Sequence, residues 1–312
     1  MMYFPYLRGK QFELILLREQ AKFLANNRQV PIIAPVRQDT TQLQKAIEAL
    51  NTEHAEHVVI INPNAGDHAE DYSPILELLQ TLPENGSTIT GIRLNYETQN
   101  TDVAHFLSKL PTKRVALVHA GYQNFSFLKQ QLASLGISPA YNIYLTNPGN
   151  RYRREFNSNS VIIEDGFRQM RNRDYPSLEF FSDLHLTYRT LGYQHFGDYL
   201  TIGEQYREGG GPAYAVALHL TYVNHADDGA VWIKHYVSDS NDGPSDPGIK
   251  AKEALDKLAK ECGSHSCVLP QTEALRILLD YQSRNHYPGL GMFKKLSMWH
   301  HLCVMANTAV SH

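Results

Sequence analysis

The stretch "TITGIRLNYETQNTDVAHFLSKLPTKRVALVH", residues 88–119, contains the repeating unit that decides the fold. Its first and last segments, 88–94 and 114–119, are short apolar runs rich in β-branched residues, which predicts two strands. Between them, residues 101–110 carry apolar side chains three and four positions apart, a pattern typical of an amphipathic helix. A strand, a helix and a second strand in this order indicate a parallel pair joined by a crossover helix.

The same alternation extends on both sides of this unit through the first half of the chain. Helical patterns separate most of the further strand candidates, which are residues 30–36, 57–62, 141–146 and 160–165. Six such strands, spaced by roughly 20–30 residues, predict a parallel sheet that is either open or closed into a barrel.

The pattern changes after residue 190. Three strand-like runs, 197–203, 213–223 and 230–239, follow one another without a helix, and the turn at 224–229 predicts a hairpin between the last two. If the first and third runs are parallel to the earlier six, the forward strands number eight, as a β/α barrel requires. We therefore expect an α/β fold, a TIM-like β/α barrel with an antiparallel strand insertion near the C-terminal third.

Length and composition are those of an ordinary globular protein. We expect a single domain over residues 1–312 that begins with a helical lead-in over 1–28. The net charge of −3 gives no sign of nucleic-acid binding, although it leaves a small charged groove open. Neither a signal-peptide pattern nor an apolar run of membrane-spanning length is present in the sequence, which predicts a cytoplasmic protein without a membrane partner.

Three consecutive glycines, Gly209, Gly210 and Gly211, follow the seventh predicted forward strand. The loop after the eighth ends at Asp246, a candidate helix N-cap that precedes Pro247. In many β/α barrels the loops after strands seven and eight, with a helix N-terminus, bind phosphate. The glycines and Asp246 are therefore candidate residues for binding a phosphorylated small molecule or a nucleotide, and a tight turn without a ligand is the alternative.

Polar residues also stand at the carboxyl ends of the predicted strands, where β/α barrels place their active sites. Asp165 and Glu204 are candidate catalytic residues and candidate ligands for Mg²⁺ or Mn²⁺, because carboxylates bind such cations and also act as general bases. His119 is a third candidate catalytic residue, whereas Arg93 and Asp239 are candidates for ligand binding. The alternative for each residue is a helix cap or an ion pair with a neighbour.

Several segments resemble a known family. The opening "YFPYLRGKQFELILLRE" (3–19) is similar to the start of the bacterial and phage beta-protein family, which has a Tyr-x-Pro-x-Leu-Lys/Arg segment and a Glu-bearing helix. The matching positions of this opening are Tyr3, Pro5, Leu7, Arg8 and Glu13. The segments "GDYLTIGEQYREGGGPAYAVALHLTY" (197–222) and "YPGLGMFKKLSMWHH" (287–301) resemble a bacterial subgroup of that family.

The resemblance implies a barrel in one continuous domain, and it supplies no established catalytic residue. It also implies a two-protein phage-defence or mobile-element module in which the partner resembles a restriction-type nuclease. From this resemblance and the candidate site together, we expect the protein to be a component of such a module. We expect it to bind a phosphorylated or nucleotide-like ligand at the top face of the barrel, where the carboxyl ends of the strands lie. Two alternatives stay open, a stand-alone metal-dependent phosphoester hydrolase and a binding or regulatory subunit without turnover.

Overall fold

The structure is a computed structural model that describes residues 1–83, 86–112, 114–209 and 214–308. The chain divides into two compact units. The first unit comprises residues 1–164 and 187–198, and the second comprises residues 165–186 and 199–312. The expected single domain over the whole chain stays a prediction.

The first unit contains a closed barrel of eight parallel strands. In their order around the barrel, the strands are β1 (Tyr3–Leu7), β2 (Ile32–Ile33), β3 (His57–Ile60), β4 (Thr88–Asn95), β5 (Val115–Ala120), β6 (Tyr141–Tyr144), β7 (Ser160–Glu164) and β9 (His195–Asp198). The parallel pairing of β1 with β9 closes the barrel. The TIM-like β/α barrel expected from the sequence is confirmed.

Helices alternate with these strands and surround the barrel. They are α1 (Gln11–Glu19), α2 (Ala21–Asn26), α3 (Thr41–Thr52), α4 (Ser73–Gln80), α5 (Asn100–Ser108), α6 (Phe125–Leu135) and α7 (Asn150–Glu155). In α3 the buried residues Leu43, Ala46, Ile47 and Leu50 recur at the three- and four-residue spacing that forms one apolar face. None of the described helices has the length and apolar content needed to cross a membrane.

Ring contacts identify the inside of the barrel. The ring centroids of Phe4 on β1 and Tyr141 on β6 are 4.9 Å apart, although β7 and β9 lie between these two strands in the sheet. Side chains on strands so separated meet only across the interior of a closed barrel. Phe4 and Tyr141 therefore point inward, and their rings fill part of the barrel core.

Glycine is required at one position inside the barrel. A Cβ atom on Gly197 of β9 would lie 1.9 Å from the Phe4 carbonyl oxygen and 2.7 Å from the Ile163 Cδ1 atom. Carbon atoms in contact prefer separations of about 3.5–4.0 Å, so any side chain here would push β9 away from β1. The closing pair of strands depends on the missing side chain.

The second unit is built on a three-stranded antiparallel sheet. In their order across the sheet, its strands are β10 (Ala217–Asn224), β11 (Ala230–Val237) and β8 (Leu178–Ser182). Its helices are α9 (Pro247–Cys262), α10 (Glu273–Ser283) and α11 (Leu290–Thr308), and the single-turn α8 (Leu184–Thr187) follows β8. Apolar residues of β10, β11, α9, α10 and α11 share one core, which includes Leu218, Leu255, Leu275 and Leu296.

The antiparallel hairpin expected after residue 213 is confirmed as β10 and β11, but the expected assignment of the eighth barrel strand is wrong. β11 pairs antiparallel with both β10 and β8, so residues 230–239 do not enter the barrel. The eighth strand of the barrel is β1, which lies within the expected helical lead-in. α1 and α2 follow β1 in that segment. Aromatic residues favour a strand at this position, and all five of its residues are buried.

We expect the substitution Gly197→Ala to destabilise the protein by about 3 kcal/mol, because the added methyl group overpacks against fixed backbone. Urea denaturation followed by circular dichroism measures this free energy of unfolding. Gly243→Ala is the matched control, since no heavy atom lies within 4 Å of its added Cβ atom. Equal unfolding midpoints for the two variants would contradict the close approach of β9 to β1.

Candidate functional site

The register of the barrel decides which polar residues point inward at the carboxyl ends of its strands. Side chains alternate between the two faces of a strand, and residues paired across parallel strands share a face. We traced the paired residues from strand to strand around the barrel, starting at the inward-facing Phe4. The tracing places Arg93 and Asn62 on the inner face. Arg8, four residues after Phe4, lies on the same face at the end of β1.

Asn62 holds the backbone of Arg93 in place. Its Nδ2 atom donates to the Arg93 carbonyl oxygen at 2.8 Å, and the Arg93 N–H donates to the Asn62 Oδ1 atom at 2.8 Å. This pair of hydrogen bonds uses both functional groups of the amide. Asn62 at the end of β3 therefore fixes where the Arg93 side chain leaves β4, and Arg93 is partly buried there.

Arg8 is held by its own loop. Its exposed fraction is 9 %, and its guanidinium carbon lies 4.9 Å from the centroid of the Tyr6 ring. The Glu13 carboxylate accepts the backbone N–H of Arg8 at 2.6 Å and that of Lys10 at 3.4 Å. Burial raises the pKa of Glu13, and the two backbone hydrogen bonds partly oppose this shift. Glu13 thus ties the first turn of α1 to the end of β1.

Two inward-facing arginines at the carboxyl end of the barrel favour an anionic ligand. β1 and β4 are three strand spacings apart, which is about 14 Å along the sheet and less across the curved barrel. A guanidinium group presents several N–H donors in a planar fork that matches the oxygens of phosphate or carboxylate. We call Arg8, Asn62 and Arg93 the arginine site, with Asn62 positioning Arg93.

His119 lies on the other face of its strand. Its ring stacks on Tyr144 at a centroid distance of 4.6 Å. Its Nδ1 atom is 2.9 Å from the Tyr152 hydroxyl oxygen, and its Nε2 atom is 3.2 Å from the Asn142 Oδ1 atom. Burial lowers the pKa of His119 to about 4, so the ring is neutral at pH 7. These contacts pack His119 between the barrel and α7, and its catalytic role stays a prediction without support from them.

Asp165 connects two loops of the second unit. Its carboxylate accepts the backbone N–H of Phe167 at 3.0 Å through Oδ1 and that of Glu204 at 2.8 Å through Oδ2. Both oxygens therefore bind backbone, which is the capping alternative considered for this residue. Asp165 thus contacts Glu204 through the backbone of Glu204, and the expected sharing of a metal ion by the two carboxylates stays a prediction. In the ranges that the structure describes, no group of three or more His, Cys, Asp or Glu side chains is placed to hold a metal ion.

The loops expected to bind phosphate show other contacts. Asp239 forms an ion pair with Lys257 at 2.7 Å, and its side chain is 78 % exposed. Asp246 is the N-cap residue of α9, as predicted, but its φ of 53° is left-handed and its side chain makes no capping hydrogen bond. Gly209 is exposed, whereas Gly210 and Gly211 lie outside the described residues. The loop before Asp246 follows β11, so it is not one of the loops that follow barrel strands.

Sequence reasoning missed a chain of charged and imidazole groups in the second unit. His219 on β10 and His235 on β11 are paired across the hairpin, and their Nδ1 atoms are 2.7 Å apart. The His235 Nε2 atom lies 3.0 Å from a Glu179 oxygen, and the other Glu179 oxygen accepts from Arg168 at 2.9 Å. The Tyr175 ring stacks on His235 at 4.6 Å. We call Glu179, His235 and His219 the imidazole relay.

The hydrogen-bond directions in the imidazole relay follow from the charge on Glu179. A carboxylate paired with Arg168 only accepts, so the His235 Nε2 atom carries a proton. Burial lowers the pKa of both histidines, which are therefore neutral at pH 7. The His235 Nδ1 atom then accepts from the His219 Nδ1–H group, and the lone pair of His219 lies on Nε2. Among the described residues no hydrogen bond to that atom is found.

Comparison with known proteins adds no family. A search of protein-family models, of curated proteins and of solved structures finds no match to this chain. The resemblance to the beta-protein family therefore stays a proposal.

We expect ¹⁵N NMR at pH 7 to find His219 neutral with its proton on Nδ1, and His235 neutral with its proton on Nε2. Glu179→Gln should abolish this fixed arrangement, because a neutral amide both donates and accepts. His300 is the internal control, since its own partners are the Thr272 hydroxyl at 2.7 Å and the Thr221 carbonyl at 2.8 Å. A wild-type His219 protonated on Nε2 would refute the deduced relay.

Proposed function

We propose that this chain is a ligand-binding β/α-barrel protein that recognises a phosphorylated or nucleotide-like compound at the carboxyl end of its barrel. One observation carries the proposal: Arg8 and Arg93 face inward at that end, and each is fixed by a dedicated partner, Glu13 and Asn62 respectively. Enzymes and binding proteins of this fold use the same end of the barrel for their ligands.

The chemistry of the arginine site favours phosphate over a neutral ligand. Guanidinium groups stay charged at every physiological pH and bind phosphate oxygens in pairs. Arg8 is largely removed from water, which strengthens its interaction with an anion. Fixed backbones at Arg8 and Arg93 reduce the entropy that a ligand must overcome when it orders the site.

The biological role that we propose is a component of a two-protein phage-defence or mobile-element module, acting with a nuclease-like partner. This part of the proposal rests on the family resemblance alone. Within it, the binding or regulatory subunit is favoured over the metal-dependent phosphoester hydrolase. The carboxylate oxygens of Asp165 bind backbone N–H groups, which leaves the proposed Mg²⁺ or Mn²⁺ chemistry without a supporting cluster among the described residues.

The substitution Arg93→Gln should weaken binding of the phosphorylated ligand about 10- to 100-fold, because a hydrogen bond to a charged group contributes about 1.5–3 kcal/mol. A thermal-shift screen against inorganic phosphate, nucleotides and sugar phosphates identifies the ligand, and calorimetry gives the dissociation constants. Arg93→Lys, which keeps the charge and loses the planar fork, should give a smaller loss.

Arg154→Gln is the matched control for this series. Arg154 lies on α7, outside the arginine site, and its side chain is 78 % exposed. It should leave the dissociation constant unchanged. The proposal fails if no phosphorylated compound stabilises the wild-type protein, or if Arg93→Gln and Arg154→Gln weaken binding equally.

Co-expression tests the proposed partner separately. The chain and a restriction-nuclease-like protein encoded beside it should elute together from a size-exclusion column as one complex. Arg93→Gln should elute in the same complex, since its effect is confined to ligand binding. Separate elution of the two wild-type proteins would exclude a stable two-protein module while leaving the ligand-binding proposal to the calorimetry.

A further inference from the structure

Two of the three cysteines lie in contact with each other in the second unit. The Sγ atoms of Cys262 and Cys267 are 3.7 Å apart, and both residues are partly buried against the core of that unit. Cys262 is the last residue of α9, and the four residues between the two cysteines are exposed. The third cysteine, Cys303 on α11, is also partly buried.

The short loop between the cysteines is held in a compact turn. Ser264 donates its N–H to the Glu261 carbonyl oxygen at 3.0 Å, and Cys267 donates its N–H to the Ser264 carbonyl oxygen at 3.3 Å. The side chains of Ser264 and Ser266 are hydrogen-bonded at 3.0 Å. Because this turn already brings the two sulfur atoms into contact, side-chain rotation with little backbone movement reduces their separation to the disulfide length of about 2.05 Å.

We propose that Cys262 and Cys267 are a reversible dithiol–disulfide site that reacts with small-molecule disulfides. In the first step the Cys267 thiolate attacks one sulfur of the small disulfide, forms a mixed disulfide and expels one thiolate. Cys262 then loses its proton, attacks the Cys267 sulfur and expels the second thiolate. The two protein thiols are oxidised, the small disulfide is reduced to two thiols, and those thiols take up the two protons.

The order of attack follows from the surroundings of Cys262. Burial, aided by its contact with Cys267, raises the pKa of the Cys262 thiol to about 12, which makes it a poor first nucleophile at neutral pH. As the second nucleophile it has its target already in contact, and proximity compensates for low thiolate content. Because each step needs a thiolate, we expect oxidation to become faster as the pH rises.

A cavity in the second unit lies next to the cysteine pair. Glu261, the residue before Cys262, lines a cavity of about 530 Å³ together with Lys234 and Tyr236. Its carboxylate forms an ion pair with Lys234 at 2.6 Å and accepts from the Tyr236 hydroxyl at 3.0 Å. This part of the cavity wall therefore lies one residue from the proposed disulfide.

Oxidised glutathione tests the proposal with the full-length protein. The wild-type protein should lose two of its three free thiols and the mass of two hydrogens, and dithiothreitol should restore both. Peptide mapping should find Cys262 joined to Cys267. Cys303→Ser, the matched control, should form the same bond at the same rate.

The single variants separate this site from general thiol reactivity. In Cys262→Ser the remaining Cys267 should stop at the mixed disulfide with glutathione, whereas Cys267→Ser should react much more slowly because the buried Cys262 thiol must attack first. Accumulation of glutathione adducts in the wild-type protein without an internal bond would overturn the proposal. A bond from either cysteine to Cys303 would also overturn it.

Discussion

Closure of the barrel depends on a strand of five residues. β1 pairs with β2 on one side and with β9 on the other, so the other seven strands form a closed barrel only when Tyr3–Leu7 is in place. On the outer face the Tyr3 hydroxyl donates to Asp198 at 2.6 Å, and on the inner face Gly197 lets β9 approach the Phe4 backbone. The arginine site follows from this closure, because Arg8 leaves β1 directly toward the barrel mouth.

Hydrogen bonds to the backbone explain the positions of several polar side chains that could otherwise be interpreted as catalytic residues. Glu13, Asn62 and Asp165 all follow strands or begin helices, and each uses its oxygens to accept backbone N–H groups. Loops at the ends of barrel strands contain many N–H groups that no strand pairing satisfies, and burial makes each unsatisfied group costly. A carboxylate at a strand end can therefore serve to accept backbone hydrogen bonds. Its sequence context does not distinguish this structural role from a role in catalysis or metal binding.

The parts of the structure that the sequence predicted are those with strong local patterns. The crossover units in residues 30–165 and the hairpin of β10 and β11 are present because periodicity and turn residues encode them locally. β1 was missed because Pro5 argues against a strand interior. β8 was missed because its residues are largely exposed and give no strong apolar pattern. Sheet membership of β11 depends on long-range pairing, which no local pattern contains.

The residues of the candidate sites also divide into those that a local sequence pattern predicts and those that depend on long-range pairing. Arg93 was found because it ends a clear strand, but the partnership of Arg93 with Asn62 requires the register of two strands. The imidazole relay had one usable signal, since His219 and His235 stand equally far from the centre of the hairpin turn and must therefore pair. The approach of Glu179 to His235 comes from β8, whose place in the sheet the sequence did not indicate.

The position of β1 in the barrel has a consequence for biosynthesis. Tyr3 and its partner Asp198 are 195 residues apart, so the ribosome releases the first strand long before its last neighbour exists. At synthesis rates of about 5–20 residues per second, this interval is about 10–40 s. During that time the edge of β1 that later pairs with β9 is an open strand edge, and such edges invite pairing with other chains. The nascent protein is therefore most exposed to misassembly before β9 emerges, and a chaperone that shields β1 would act within this interval.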